Sequence, residues 1–189
     1  MVNFIAQRMS GGYTYTLTTY ATKYLAEAES LYGPRMTNYI YAGIELVAEG
    51  GPRTWYPQNK YVVIQLTHST ASNLRQGIFQ LSHEVIHLLS PNGMSTTNNL
   101  EEGLATLFSK KVTDRDTGDE DYAEISIAPT KYYYPYTLVS QLLDINPDAV
   151  IELRKVQPMI SSITKGDFLK ANLEIPEELI EELVKPMEY

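Results

Sequence analysis

The sequence predicts an α+β domain, and three observations carry that expectation. Runs rich in Tyr, Ile and Val lie in the first half of the chain, with Gly and Pro punctuation between them. Apolar residues recur at helical spacing before and after those runs. Helices then dominate the second half, so strands and helices are segregated along the chain, not alternated. At 189 residues the chain fits one domain spanning 1–189, with a sheet and a central helix in 1–93 and a helical subdomain in 94–189.

Each element follows in order. Leu17, Tyr20, Ala21, Tyr24, Leu25, Ala28 and Leu31 mark a helix over 15–32, stopped by Gly33-Pro34. Residues 38–48 read as a strand ending at Gly50-Gly51-Pro52. Trp55-Tyr56, the turn Pro57-Gln58-Asn59 and the run Tyr61 to Thr67 read as a hairpin with a second strand. A helix over 72–89 starts at Ser72-Asn73 and stops at Ser90-Pro91-Asn92-Gly93, and another covers about 98–112. The acidic stretch Asp114 to Glu124 is expected to be a solvated loop. From Tyr132 the pattern is helical to the end, with Pro147 and Pro176 each placed where a helix begins.

Composition narrows the function classes. The formal net charge is −8, so a basic footprint for nucleic acid is missing. No stretch approaches the ~18–20 apolar residues that span a bilayer. The chain has no cysteine, which excludes disulfides and thiolate metal sites. The segment Met1 to Arg8 lacks the charged and apolar regions of a signal peptide, which makes the cytoplasm the default expectation.

The helix over 72–89 carries the chemistry. At ~100° per residue, with His83 at zero, His87 falls about 40° away on the same face, Gln76 near 20°, Gln80 near 60° and Glu84 near 100°. Apolar residues fill the arc from about 140° to 320°. The helix is therefore wrapped by core and shows one polar sector, with both histidines and the glutamate in or beside it. Imidazoles at i and i+4 reach one zinc ion at ~2.0–2.1 Å without distorting a helix. The offset Glu84 is placed to act as general base on a zinc-bound water, whose pKa the ion lowers toward ~7, and then to return the proton to a leaving amine.

Two histidines leave a catalytic zinc one protein ligand short. The next helix opens with Glu101-Glu102, and a helical wheel does not decide between them. His83-Glu84-Val85-Ile86-His87, followed after 14 residues by Glu102-Gly103-Leu104-Ala105, resembles the gluzincin metallopeptidases, and the small size resembles their compact members, the minigluzincins. That resemblance implies a zincin-like fold, zinc held by His83, His87 and Glu102, Glu84 as general base, and a peptide or protein substrate. Glu101 stands where the aminopeptidase branch has Asn. Two departures accompany the likeness. Thr106 occupies the place of a carboxylate that in some gluzincins orients a zinc-bound histidine, and the aminopeptidase Gly-x-Met-Glu-Asn run is absent.

Gluzincins often use a downstream Tyr or His on the oxyanion, and no histidine follows His87. Among Tyr132, Tyr133, Tyr134 and Tyr136, the expectation falls on Tyr136 or Tyr133. His68 is a strand-end residue that could line the groove or replace Glu102. Trp55 and Tyr56 are candidates for an edge strand that pairs with an extended peptide. The acidic run from Asp114 to Asp121 fails the calcium-loop spacing of an EF-hand. The rival functional readings are a non-catalytic metal-binding or interaction domain on the same scaffold, and a proenzyme inhibited by its own tail, Ile175 to Tyr189.

Overall fold

The computed structural model describes residues 13–58, 60–93 and 96–187; Met1 to Arg8, on which the leader expectation falls, lie outside them. The chain runs α1 (Tyr13–Tyr32), β1 (Ile40–Val47), β2 (Arg53–Trp55), β3 (Tyr61–Thr67), α2 (Leu74–His87), β4 (Thr97–Asn98) and α3 (Asn99–Thr117). It continues through α4 (Glu120–Ile127), α5 (Tyr133–Ile145), α6 (Ala149–Val156), α7 (Lys165–Lys170), α8 (Glu177–Leu183) and β5 (Pro186–Met187). The fold class is α+β, mainly helical with small sheets.

The main sheet has the order β1-β3-β2. β1 runs parallel to β3 (Ile44 opposite Ile64), and β2 pairs antiparallel with β3 as the expected hairpin (Thr54 opposite Ile64). β2 therefore has one paired side and one outer edge. Val62, Ile64 and Leu66 alternate along β3 and point into the core.

α2 runs through the middle of that core. Ile78, Leu81, Val85 and Ile86 are buried against Leu17, Tyr24 and Ala28 of α1 and Leu100, Leu104 and Phe108 of α3, all in one hydrophobic cluster. Tyr24 and Tyr32 meet Phe108 edge-on, at ring separations of 6.5 and 6.3 Å. Gln80, on the polar sector of α2, accepts from the Thr67 amide (3.0 Å), so the end of β3 is tied to the helix.

One sequence expectation is corrected. The acidic stretch is not a loop: α3 continues to Thr117, and α4 begins at Glu120. The acids are paired within and between helices, Lys110 with Asp114 at 2.8 Å, Arg115 with Glu27 at 2.8 Å and Lys23 with Asp116 at 2.9 Å. Gly118, at φ +68°, ends α3 in the left-handed conformation that glycine adopts without strain. Asp119 then caps α4 by accepting from the Tyr122 amide.

In the second half Pro176 stands at the cap of α8, while Pro147 lies two residues ahead of α6. Short turns separate α5 to α8. Among the described residues, no helix is long and apolar enough to cross a membrane.

Candidate metal centre

Two helix ends converge to build the site. α2 starts at Asn73, whose side chain accepts from the Gln76 amide (3.1 Å), and it delivers His83 and His87 in its last two turns. α3 starts at Asn98, whose side chain accepts from the Glu101 amide (2.9 Å), and it presents Glu101 and Glu102 in its first turn. The β4–β5 pair steadies that start: Thr97 lies opposite Met187, and the Asn99 amide donates to the Lys185 carbonyl at 3.0 Å.

Glu102 Oε2 lies 3.2 Å from His83 Nε2, and Glu102 Oε1 lies 3.7 Å from His87 Nε2. One donor atom from each of the three residues lies within 4.8 Å of the other two. Tetrahedral bonds of ~2.0–2.1 Å bring donors to roughly 3–4 Å apart, so this set fits one zinc-sized ion with little adjustment. Glu101 is not in the set. Its Oε1 contacts the opposite ring nitrogen, His87 Nδ1, at 3.0 Å.

The site is rich in buried negative charge. Glu84, Glu101 and Glu102 are all buried, and the histidines beside them are nearly so. Burial alone would lower the His87 pKa, but Glu102, Glu101 and Glu84 outweigh it and push the imidazole up to about 10. Burial pushes the Glu84 carboxyl up, and the Glu102 charge adds to that; His87, His83 and the Thr54 backbone amide pull the other way. Glu84 Oε2 has no hydrogen-bond partner among the described residues. A buried carboxylate oxygen left this way costs stability unless something enters to meet it.

These groups line a pocket of about 380 Å³. His83, Glu84, His87, Glu101 and Glu102 are all among its lining residues. It is also lined by Gly51, Pro52, Arg53 and Thr54 at and just before β2, by Tyr56, and by Ser90, Asn92, Thr96 and Thr97. Tyr132 closes the ring, its phenol 5.5 Å from the His83 imidazole, centroid to centroid and edge-on.

The structure thus brings Tyr132 to the site, and not Tyr133 or Tyr136. Tyr133 is exposed, and Tyr136 lies close enough to Lys110 to interact with it electrostatically; neither lines the pocket. The cause is Gly103. A Cβ there would overlap the Pro135 carbonyl and the Val139 side chain, so α5 crosses α3 at backbone contact. That crossing places the residue just ahead of α5, Tyr132, over His83. Burial, with Glu102 and Glu84 nearby, pushes the Tyr132 pKa up to about 12, so the phenol keeps its proton.

His68 begins a short 3-10 turn, is exposed and does not line the pocket. Trp55 is 43% exposed with Arg53 over its ring, whereas Tyr56 faces the pocket and packs on Tyr39. Among the described residues nothing beyond Tyr132 lines the pocket, and the tail strand β5 lies on β4.

Comparison of the chain with protein-family models, with curated proteins and with solved structures finds no match. The functional reading therefore rests on the residues themselves.

Proposed function

We propose that this chain is a zinc-dependent peptidase on a zincin-like scaffold of the gluzincin type, with His83, His87 and Glu102 as the protein ligands. One observation carries the reading: three donor atoms converge on one point, and the partnerless oxygen of buried Glu84 lines the same pocket. A zinc ion held there would supply Lewis acidity, polarising a carbonyl and acidifying a water molecule.

The protein's own groups do the rest. Glu84, whose carboxyl burial raises above the ordinary glutamate value, takes a proton from the attacking water and delivers it to the leaving amine. Tyr132, protonated at neutral pH, donates a hydrogen bond to the oxyanion that forms on the carbonyl. The outer edge of β2 offers backbone groups to an extended peptide lying along the pocket.

The test has two steps. Purified protein freed of metal and titrated with zinc is expected to take up one equivalent, and no uptake would end the proposal. Wild type and Glu84→Gln are then compared on a mixed peptide library, with an expected loss of at least ~100-fold in cleavage. Equal cleavage by the two proteins would remove Glu84 as the base.

A further inference from the structure

The two histidines are held differently. His83 packs edge-on against Tyr132. His87 has a buried carboxylate on the ring nitrogen that faces away from Glu102.

We infer that Glu101 is the positioning residue of this centre: it fixes the tautomer and ring plane of His87 so that Nε2 is the atom offered to a metal. The inference rests on the zinc reading above. A carboxylate only accepts hydrogen bonds, so a 3.0 Å contact from His87 Nδ1 to Glu101 Oε1 places the imidazole proton on Nδ1. In the neutral imidazole that ligates a metal, the lone pair is then on Nε2, the nitrogen that faces Glu102. The second oxygen, Oε2, accepts from Thr97 Oγ at 3.3 Å, so both oxygens of Glu101 are engaged away from the donor set.

Glu101 is itself held from several directions. Its amide is capped by Asn98, whose side-chain nitrogen donates to the Ile160 carbonyl at 3.0 Å. Thr97 and Asn98 are paired with Met187 and Pro186 of β5. The carboxylate is 3% exposed, which leaves it no room to wander between rotamers. A partner of this kind on a ligating histidine typically changes metal affinity 10- to 100-fold. Thr106, on the next turn of α3, hydrogen-bonds its own helix at Glu102 O (2.7 Å) and has no part in holding either imidazole.

The experiment measures zinc affinity by chelator competition for wild type, Glu101→Ala, Glu101→Gln and Thr97→Val, with the unfolding midpoint of each metal-free protein recorded alongside. Glu101→Ala is expected to bind zinc roughly 10- to 100-fold more weakly. Glu101→Gln, whose amide oxygen accepts the same Nδ1 proton, is expected to recover part of that loss and guards against a variant that fails to fold. Thr97→Val is expected to lose less, about two- to fivefold, since it removes one long hydrogen bond to Glu101 and leaves the contact with His87 in place. Nitrogen NMR of the zinc-loaded wild type is expected to show His87 carrying its proton on Nδ1, a signature a merely structural role would not set. Wild-type zinc binding matched within twofold by Glu101→Ala, or His87 ligating through Nδ1, would overturn the inference while leaving the zinc reading intact. A wild type that binds no zinc would instead overturn the zinc reading and this inference with it.

Discussion

Two buried charged clusters in this molecule are built on opposite plans. Around Arg154, which is 6% exposed, the protein completes every contact itself. Nη1 donates to the carbonyls of Tyr32 and Gly33, both at 2.7 Å, Nη2 to those of Pro34 (2.7 Å) and Leu89 (3.1 Å), and Nε to Pro158 (3.2 Å). One cation thereby satisfies the chain just beyond two helices, α1 and α2, where the macrodipole is negative. Around His83 and His87 the protein gathers three buried carboxylates, and among the described residues Glu84 Oε2 meets no partner. A completed cluster holds the fold together, whereas an incomplete one is a cost in stability, which the proposed zinc site would account for.

That contrast is open to direct attack. The largest effect is expected at the completed cluster: Arg154→Met removes the guanidinium from five carbonyls and should lower the unfolding free energy by roughly 3–5 kcal/mol in urea titration. Of these carbonyls only that of Leu89 is seen to keep a second donor among the described residues, the Met36 amide. A loss below about 1 kcal/mol would show that the carbonyls find water instead. Next is the crossing that brings Tyr132 to the pocket. Gly103→Ala should cost about 1–3 kcal/mol because the added methyl meets backbone, and activity should fall further than stability as α5 is displaced. Unchanged activity in a folded Gly103→Ala protein would separate Tyr132 from the chemistry.

At the incomplete cluster the sign should reverse. Glu84→Gln removes a buried charge without changing shape, so the metal-free protein is expected to gain roughly 0.5–2 kcal/mol while losing activity. A destabilised variant would mean that the centre is completed in some other way, and the contrast with Arg154 would fail. The smallest effect is a pH dependence at a second completed cluster. Burial of Asp116 opposes its ionisation, but hydrogen bonds from Arg115, Lys23 and Tyr24 prevail and hold its carboxyl below the usual range. With the folded pKa depressed, the unfolded chain binds the proton more tightly. Its contribution is therefore present above the ordinary aspartate pKa of ~3.9 and is lost as pH falls through that value toward the folded one. Asp116→Asn should flatten that part of the stability profile, and an unaltered acid limb would assign the loss to other carboxylates.

How much of this could be read from the sequence followed from how local each feature is. The i, i+4 pair His83 and His87, with Glu84 offset, is a property of one helix, and α2 forms where its caps and periodicity put it. Glu102 was reachable through the Glu-Gly-x-Ala likeness. Glu101 was weighed there only as a rival ligand, because its direction depends on β4, Asn98 and a strand from the far end of the chain. The missing carboxylate at Thr106 was the available hint that another acid holds the histidine. The run of four tyrosines predicts that one reaches the cleft but does not single out Tyr132 over Tyr133 or Tyr136, because nothing in it shows where a neighbouring helix will cross. Gly103 was the signal, since a glycine inside a helix facing another helix marks close backbone approach. The acidic stretch misled for a different reason: its charges are balanced by Lys110, Arg115, Lys23 and Arg75, three of them on other turns or helices.

The pairing of β4 with β5 has a consequence for the order in which the molecule assembles. His83, Glu84 and His87 take their places as soon as α2 forms, a matter of contacts a few residues apart. The first turn of α3 is secured only when the strand at Pro186–Met187 docks on Thr97–Asn98, which closes a loop through most of the second half of the chain. Closing long loops is entropically uphill until the contacts they bring are made, and it is slow relative to helix formation. Contact separation therefore predicts that the histidine half of the site forms early in folding and the carboxylate half late. On the zinc reading proposed above, metal uptake during refolding is expected to follow the docking of β5, which a stopped-flow refolding experiment in the presence of zinc would check.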